Sequence, residues 1–426
     1  MSTSRSEPQD APAAASPEPP GKAPAEQPPG RLGGLLGLLA VGNTAMFMVY
    51  MGVGQVLLPV HVEALDPADK VANLGLVSGV AAVFATLFNP LAGLLSDRSG
   101  RRNPWILGGG LAALGALALL GAVHSLLLVT IGWCLVQATM NVYQAAITAV
   151  VPDRVPMERR GLASAMVGIG TPVGTIIGVT VASAFVPADV GTGCLVLGAV
   201  VAAVAVLFTA LVSERKLPAV RTVALGRQLA AFGSAMRAAD FRWAFIGRFL
   251  LMLGYFAVVL YQLYVLQDHV ALPEALSPAG ALAVLSPVSA LCTLLSTVIG
   301  GVLSDRIGRR KPFIALSCAF TAIGMMVPVL VPTWTGMLVF GVVTGLSFGC
   351  FMAVDTALVT LVLPSAQDAA RDMGVLNIAN AGPQIIAPFM ASVVVASLGG
   401  YTALFVTGAV ITILGALAVV PIRGVR

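Results

Sequence analysis

Asp355 is the carboxylate set deepest in apolar sequence, within a run at 334–362 and about two helical turns from its end. An ionisable group at membrane depth is costly and marks function by default. Withdrawing a carboxylate from water favours its neutral form, so such a group can take up and release a proton. Two other roles fit the same position: counter-ion to a cationic substrate, and salt-bridge partner of Arg248. Amides form two further patterns. Gln137, Asn141, Gln144 and Thr148 recur at i, i+4, i+7 and i+11, and Asn377, Asn380 and Gln384 at i, i+3 and i+7 beside Pro383. Each set lies on one helical face. Amides cannot be left facing lipid, so these faces either line a cavity or bind a neighbouring helix, at about 0.6 kcal/mol per contact. With Gln262 and Asp355, they form the candidate surface for substrate and proton. Glu63 and Asp66 close the first apolar run and call for no special account.

Other chemistries find no footing. His-Glu-x-x-His and paired intramembrane aspartates are absent from the sequence, so the chain is not read as an enzyme. The three histidines and five cysteines have no metal-ligand spacing, and no metal or cofactor is expected. The cysteines all fall in apolar runs, where they act as small buried hydrophobes.

The elements that carry these residues follow from composition. Hydrophobic residues make up 58% of the 426 and charged residues 10%, with a mean hydropathy of +0.93. A water-soluble domain carries roughly 25% charged residues. Apolar runs occur at 33–60, 72–95, 104–123, 126–150, 161–185, 191–212, 242–266, 279–303, 312–331, 334–362, 373–397 and 401–421. Each is long enough to cross a bilayer as a helix, and none alternates as a lipid-facing barrel strand must. With the N-terminus inside, every Lys and Arg except Lys70 and Arg248 falls on the cytoplasmic side, the positive-inside pattern. The net charge of +5 therefore reports topology, and a nucleic-acid partner is set aside. Residues 1–31, rich in Pro, Ala, Ser and Glu, read as a disordered cytoplasmic tail and not as a signal peptide.

An internal repeat sets the architecture. Gly93-Leu-Leu-Ser-Asp-Arg-Ser-Gly-Arg-Arg-Asn-Pro-Trp-Ile106 and Gly301-Val-Leu-Ser-Asp-Arg-Ile-Gly-Arg-Arg-Lys-Pro-Phe-Ile314 agree at ten of fourteen positions, 208 residues apart. Pro152 and Arg159 echo in Pro364 and Arg371. The fold class is thus an all-α membrane protein of twelve helices, in two parallel six-helix halves at 32–212 and 242–422. Residues 213–241 form a cytoplasmic linker, in which Leu225, Leu229, Phe232 and Met236 share the face of a short interfacial helix. Segments 3, 6, 9 and 12 carry few hydrogen-bonding side chains and belong on the outside of the bundle. Ser164, Gly168, Thr171, Thr175 and Gly178 form a small-residue stripe suited to packing between halves. Gly93 and Gly301 are expected to admit a neighbouring helix in the same way.

At the two duplicated loops the sequence resembles the major facilitator superfamily. The matching residues are Gly93, Asp97, Arg98, Gly100, Arg101 and Arg102, then Gly301, Asp305, Arg306, Gly308, Arg309 and Arg310. The resemblance implies solute transport by alternating access in a multi-pass protein of the cell membrane, both termini cytoplasmic. It also implies a cytoplasmic gate: Asp97 facing the start of segment 11 near Arg371, and Asp305 the start of segment 5 near Arg159 or Arg160. A small-molecule substrate, protons and the lipid bilayer are the implied partners, and a monomer is expected.

A closer likeness lies in Val354-Asp-Thr-Ala-Leu-Val-Thr, Val362-Leu-Pro-Ser and Arg371-Asp-Met-Gly-Val-Leu-Asn-Ile-Ala-Asn-Ala-Gly-Pro-Gln, with Arg101-Arg-Asn-Pro-Trp-Ile and Val150-Val-Pro-Asp-Arg-Val-Pro. It is similar to the branch of sucrose and glycoside–cation symporters, which implies a proton-coupled sugar carrier with Tyr143, Tyr255, Tyr261 and Tyr264 as aromatic candidates. The rival is a proton-driven exporter of drugs or secondary metabolites, with Gly161, Gly170 and Gly174 at the exporter's glycine spacing and the proline at Pro172. A non-transporting receptor on the same fold is the third reading.

Overall fold

The computed structural model describes residues 29–186, 189–214, 236–362 and 369–422, with the side chains of 29–31, 356–357, 359–362 and 369–378 outside that description. Residues 1–28 of the expected tail, and 215–235 of the expected linker with Leu225, Leu229 and Phe232, lie outside the described residues.

Among the described residues, twelve helices are long and apolar enough to span a membrane. The first, α1, runs Pro29–Gly52, passes through a π-helical turn at Val53–Leu57 and continues over Leu58–Leu65. Then follow α2 (Lys70–Ser99), α3 (Asn103–Ala122), α4 (Leu126–Arg154), α5 (Met157–Ala184) and α6 (Val190–Leu211). The second half holds α7 (Ala239–Leu260, extended by Gln262–Asp268), α8 (Pro278–Ile307), α9 (Lys311–Leu330), α10 (Trp334–Val362), α11 (Ala369–Ser397) and α12 (Gly400–Val419). Among the described residues the β-structure is one isolated bridge, Ala271 to Thr333.

Local chemistry explains where helices start and stop. Ser125, Asp189 and Ser277 cap α4, α6 and α8 by accepting the backbone N–H groups of Leu128, Thr192 and Gly280. Proline sits in the first turn of α3, α8 and α9, where its missing N–H costs nothing. Both duplicated loops end their helix on a left-handed glycine, Gly100 at φ 61° and Gly308 at φ 66°, a conformation that costs any other residue about 1 kcal/mol or more.

The halves repeat one packing scheme. Contacts α1–α5, α2–α4, α3–α6, α3–α4 and α1–α6 recur as α7–α11, α8–α10, α9–α12, α9–α10 and α7–α12. Two contacts cross between halves, α2–α11 and α5–α8, and the π-turn of α1 touches α7. Burial sorts the helices by role. The most apolar stretches of α1, α4, α7 and α10 are 50–56% buried, and those of α3, α6, α9 and α12 39–44%. Those of α2, α5, α8 and α11 are only 22–33% buried, although these four hold the halves together. They flank an open cleft. On α2, Gly75 and Gly79 press against Ser392 and Phe389 of α11, whereas further along the helix Leu87 is 66% exposed and Gly93 has nothing within 4 Å. The halves therefore meet at the face opposite the arginine loops and stand apart at the basic face.

Candidate functional site

In the second half, Arg248 of α7 reaches two helices at once. Its Nη1 lies 2.7 Å from Asp355 Oδ2 on α10, and its Nε donates to Asn380 Oδ1 on α11 at 2.8 Å. Both charges are nearly out of water, with side-chain exposures of 8% and 4%. Their surroundings are apolar, with Leu251, Met252, Cys318, Phe351, Val354 and Leu358 in the same core. A buried pair of this kind costs desolvation that its attraction only partly repays, so it adds little net stability. One turn along α11, Gln384 donates from Nε2 to the Asn380 carbonyl at 3.3 Å and is exposed. Asn377 lies outside the described side chains.

Seven residues along each helix, Tyr255 of α7 stacks on Phe348 of α10 with ring centroids 4.1 Å apart. The ion pair and the aromatic pair are thus two rungs between the same helices, spaced by about 10 Å. Tyr143, Tyr261 and Tyr264 are fully buried, and their hydroxyls are engaged by backbone carbonyls of Gly42, of Val71 and Pro388, and of Pro59. Three of the four aromatic candidates are therefore packing residues.

In the first half the α4 amides divide. Asn141 is buried and donates to the Gln137 carbonyl at 2.8 Å, which is helix bonding. Gln144 accepts from Tyr50 of α1 at 3.4 Å, and the Gln137 Oε1 is buried without a hydrogen-bond partner among the described residues. Gln262, also buried, sits fourteen residues beyond Arg248, about 20 Å along the helix, and belongs to the closed face. The small-residue stripe on α5 also divides. Gly178, with Gly170 and Gly174, presses on Asn43, Thr44 and Met48 of α1 within the same half, while Gly168 and Ser164 open on a cleft of about 360 Å³ beside Thr148 and Pro152.

The sequence reading did not anticipate the contacts of the closed face. Lys70, at the start of α2, bridges Glu63 of its own half and Asp268 of the other, both at 2.9 Å. Asp268 also accepts from Tyr401 at 2.7 Å, Gln267 donates to Glu63 at 2.7 Å, and Lys70 lies 4.8 Å from the Tyr264 ring centroid. Glu63 thus has a role that its position at a helix end hides; the isolation of Lys70 on that side was the available signal. Lys70→Gln is expected to ease opening of this face by about 1 kcal/mol, roughly fivefold in the equilibrium. A Ser392→Cys reporter, placed against Gly75, should be labelled correspondingly faster; equal labelling would count against a latch.

Comparison with known proteins resolves the family. The family model described as Major Facilitator Superfamily matches residues 33–293 and 271–425. The chain belongs to the Major Facilitator Superfamily. Among solved structures, a mutant of the nucleoside transporter NupG aligns with TM-score 0.75 at 16% identity, over 91% of this chain and 99% of that one. The peptide transporter POT in complex with sulfate gives 0.73 at 15%, over 91% and 94%. A bacterial homologue of the human lysosomal transporter Spinster, inward-facing and unoccupied, gives 0.67 at 15%, over 93% and 96%. These likenesses establish the fold. In sequence, the multi-drug resistance efflux pump PmrA of Streptococcus pneumoniae is 29% identical over 126 residues, 28% of this chain and 30% of that protein's length.

Among the described side chains of this superfamily fold, the duplicated motif forms its ion pairs within its own half. Asp97 pairs with Arg102 Nη1 at 2.7 Å, and Arg102 Nε reaches Asp153 at 2.8 Å, all in the first half. Burial alone would lower the Arg102 pKa, but the hydrogen bonds and charges of Asp153 and Asp97 hold it above its ordinary value. Arg102 also donates to Ser96 Oγ at 2.8 Å, and Glu214 accepts the backbone N–H groups of Arg102 and Asn103. The second copy is looser, with Asp305 to Arg310 at 3.3 Å and Asp305 70% exposed. Arg98, Arg101, Arg306, Arg309 and Arg159 are exposed, and Arg160 donates to the Val155 and Pro152 carbonyls. The Arg371 side chain lies outside the described residues. Close packing at the motif glycines is not observed either. A Cβ at Gly93 would meet nothing within 4 Å, and one at Gly301 only Ala353 at 3.7 Å. At the two glycines an open basic face accounts for the difference, because it leaves no helix of the other half against them.

Proposed function

We propose that this superfamily member is a secondary active transporter that moves a small organic solute across the cytoplasmic membrane by alternating access, driven by protons through Asp355. On this reading the arginine-rich face is cytoplasmic, the conformation is inward-open, and the protein acts as a monomer. The observation that carries it is the Arg248–Asp355–Asn380 cluster, a charge pair tying α7, α10 and α11 together in apolar surroundings. A proton on Asp355 removes the attraction that holds Arg248 to α10. Because α11 also touches α2 of the other half, loosening this tie gives protonation a path to the rocking of the halves.

The test is Asp355→Asn in proteoliposomes, with the solute first found by screening for thermal stabilisation of the purified protein. The variant is expected to exchange solute but to stop at equilibrium, where the wild type accumulates it under an inward-acid gradient. Gradient-driven accumulation by the variant at normal expression would exclude coupling through this residue.

Two substrate readings compete. The likeness to the glycoside–cation symporter branch favours sugar uptake, and the PmrA-like stretch favours export. Packing of Tyr143, Tyr261 and Tyr264 leaves Tyr255 as the aromatic group at the candidate site, which weighs against sugar stacking.

A further inference from the structure

We infer that the transported solute is an organic anion, taken by Arg248 together with a proton on Asp355, so that both cross in the same direction with no net charge. The inference rests on the proton role proposed above for Asp355.

Charge accounting leads to it. Within the described spans, Arg248 and Asp355 are the buried charged pair, and the polar groups of the first-half helices, Asn43, Tyr50, Gln55, Gln137, Asn141 and Gln144, are uncharged. A cationic solute would have to approach a carboxylate whose charge Arg248 already cancels, and would lie beside the guanidinium itself. A proton arriving alone fares no better. It would turn Asp355 into the acid and strand Arg248 among Leu251, Met252 and Phe351, an uncompensated buried charge costing several kcal/mol. An anion removes that penalty. The proton bonds to an Asp355 Oδ, the ion pair with Arg248 breaks, and the solute's carboxylate pairs with the freed guanidinium. On release the proton leaves Asp355 and the original pair re-forms. The site carries no net charge before or after, so neither proton leak nor solute slip is favoured.

Geometry supports both entry and shape. Asn380 is half-buried and Gln384 exposed on α11, the helix that parts from α2 towards the basic face. The Tyr255–Phe348 rung supplies an aromatic surface seven residues along the same two helices, about 10 Å of helical rise from the ion pair, which suits a carboxylate with an aryl or alicyclic body. The titratable groups recorded against Asp355 are Arg248 from α7 and Cys318 from α9, so no second acid competes for the proton among the described residues.

The probes are 1-naphthoate, 1-naphthylmethylammonium and 1-naphthamide, scored by thermal stabilisation of the full-length protein between pH 5.5 and 7.5. Naphthoate is expected to stabilise, with apparent affinity rising up to about tenfold per pH unit of acidification as one proton enters with each anion. The ammonium and the amide should have little effect. Arg248→Gln combined with Asp355→Asn, which leaves no buried charge unpaired, should abolish the naphthoate effect, while Asp355→Asn alone should keep it and lose its pH dependence. Stabilisation by the ammonium instead of naphthoate, a flat pH profile in the wild type, or no naphthoate effect would overturn the inference. Cation selectivity with accumulation still lost in Asp355→Asn would sink the anion assignment and leave the proton role standing. Accumulation retained in Asp355→Asn would sink the proton role itself.

Discussion

Arg248→Met is expected to destabilise the folded protein by about 3–5 kcal/mol, because it leaves the Asp355 carboxylate buried without compensation. Among the described residues Arg248 is the cation acting on Asp355, and the core around it is otherwise apolar. Asn380 would lose its donor as well. The loss should shrink at acid pH, where the lone carboxyl can take a proton and shed its charge. Adding Asp355→Leu should recover most of the stability, since replacing both members of a buried pair with apolar groups is often neutral. Thermal unfolding in detergent measures both variants. Wild-type stability in the single variant, or a double variant weaker than the single, would refute this account of the pair.

Gly178→Val should be as damaging by a different route. A Cβ at Gly178 would lie 2.3 Å from the Met48 carbonyl oxygen, and one at Gly52 2.6 Å from the Gly178 carbonyl oxygen. These are backbone atoms, so no side-chain rotation can relieve the contact, and α1 and α5 must separate. Overpacking commonly costs 1–3 kcal/mol, and a forced helix separation in a bundle held by close packing should reach about 3 kcal/mol and sharply reduce folded yield. Gly168→Val on the same helix, where a Cβ meets nothing within 4 Å, is the matched control and should give near-normal yield in size-exclusion assays. Equal yields for the two would show that the α1–α5 contact tolerates expansion.

Helix number and the division into halves were readable from hydropathy and from the repeat. Such signals are written at every turn of a membrane helix, because lipid penalises each polar group. The pairing of Asp355 with Arg248 stood among three open roles, since it depends on how α7 crosses α10, and spacing along one helix cannot fix a crossing. The closed face was less visible still. Glu63, Lys70, Gln267 and Asp268 are charged or polar residues at helix ends, where such residues are ordinary, and only the meeting of the two halves makes them partners. On α5, Gly178 of the small-residue stripe serves α1 in its own half, a choice of partner that spacing along one helix cannot fix.

The two copies of the arginine loop have the same wording and different settings. Arg102 is sealed among Asp97, Asp153 and Ser96 with 8% of its side chain exposed, whereas Asp305 faces water beside Arg310. Dissolved ions screen exposed charges within about 8–10 Å at physiological ionic strength and barely reach sealed ones. Raising the salt around this face therefore slackens the end of one half and spares the other. A duplication that began with equal parts has left the carrier with one end tuned to its ionic surroundings and one end deaf to them.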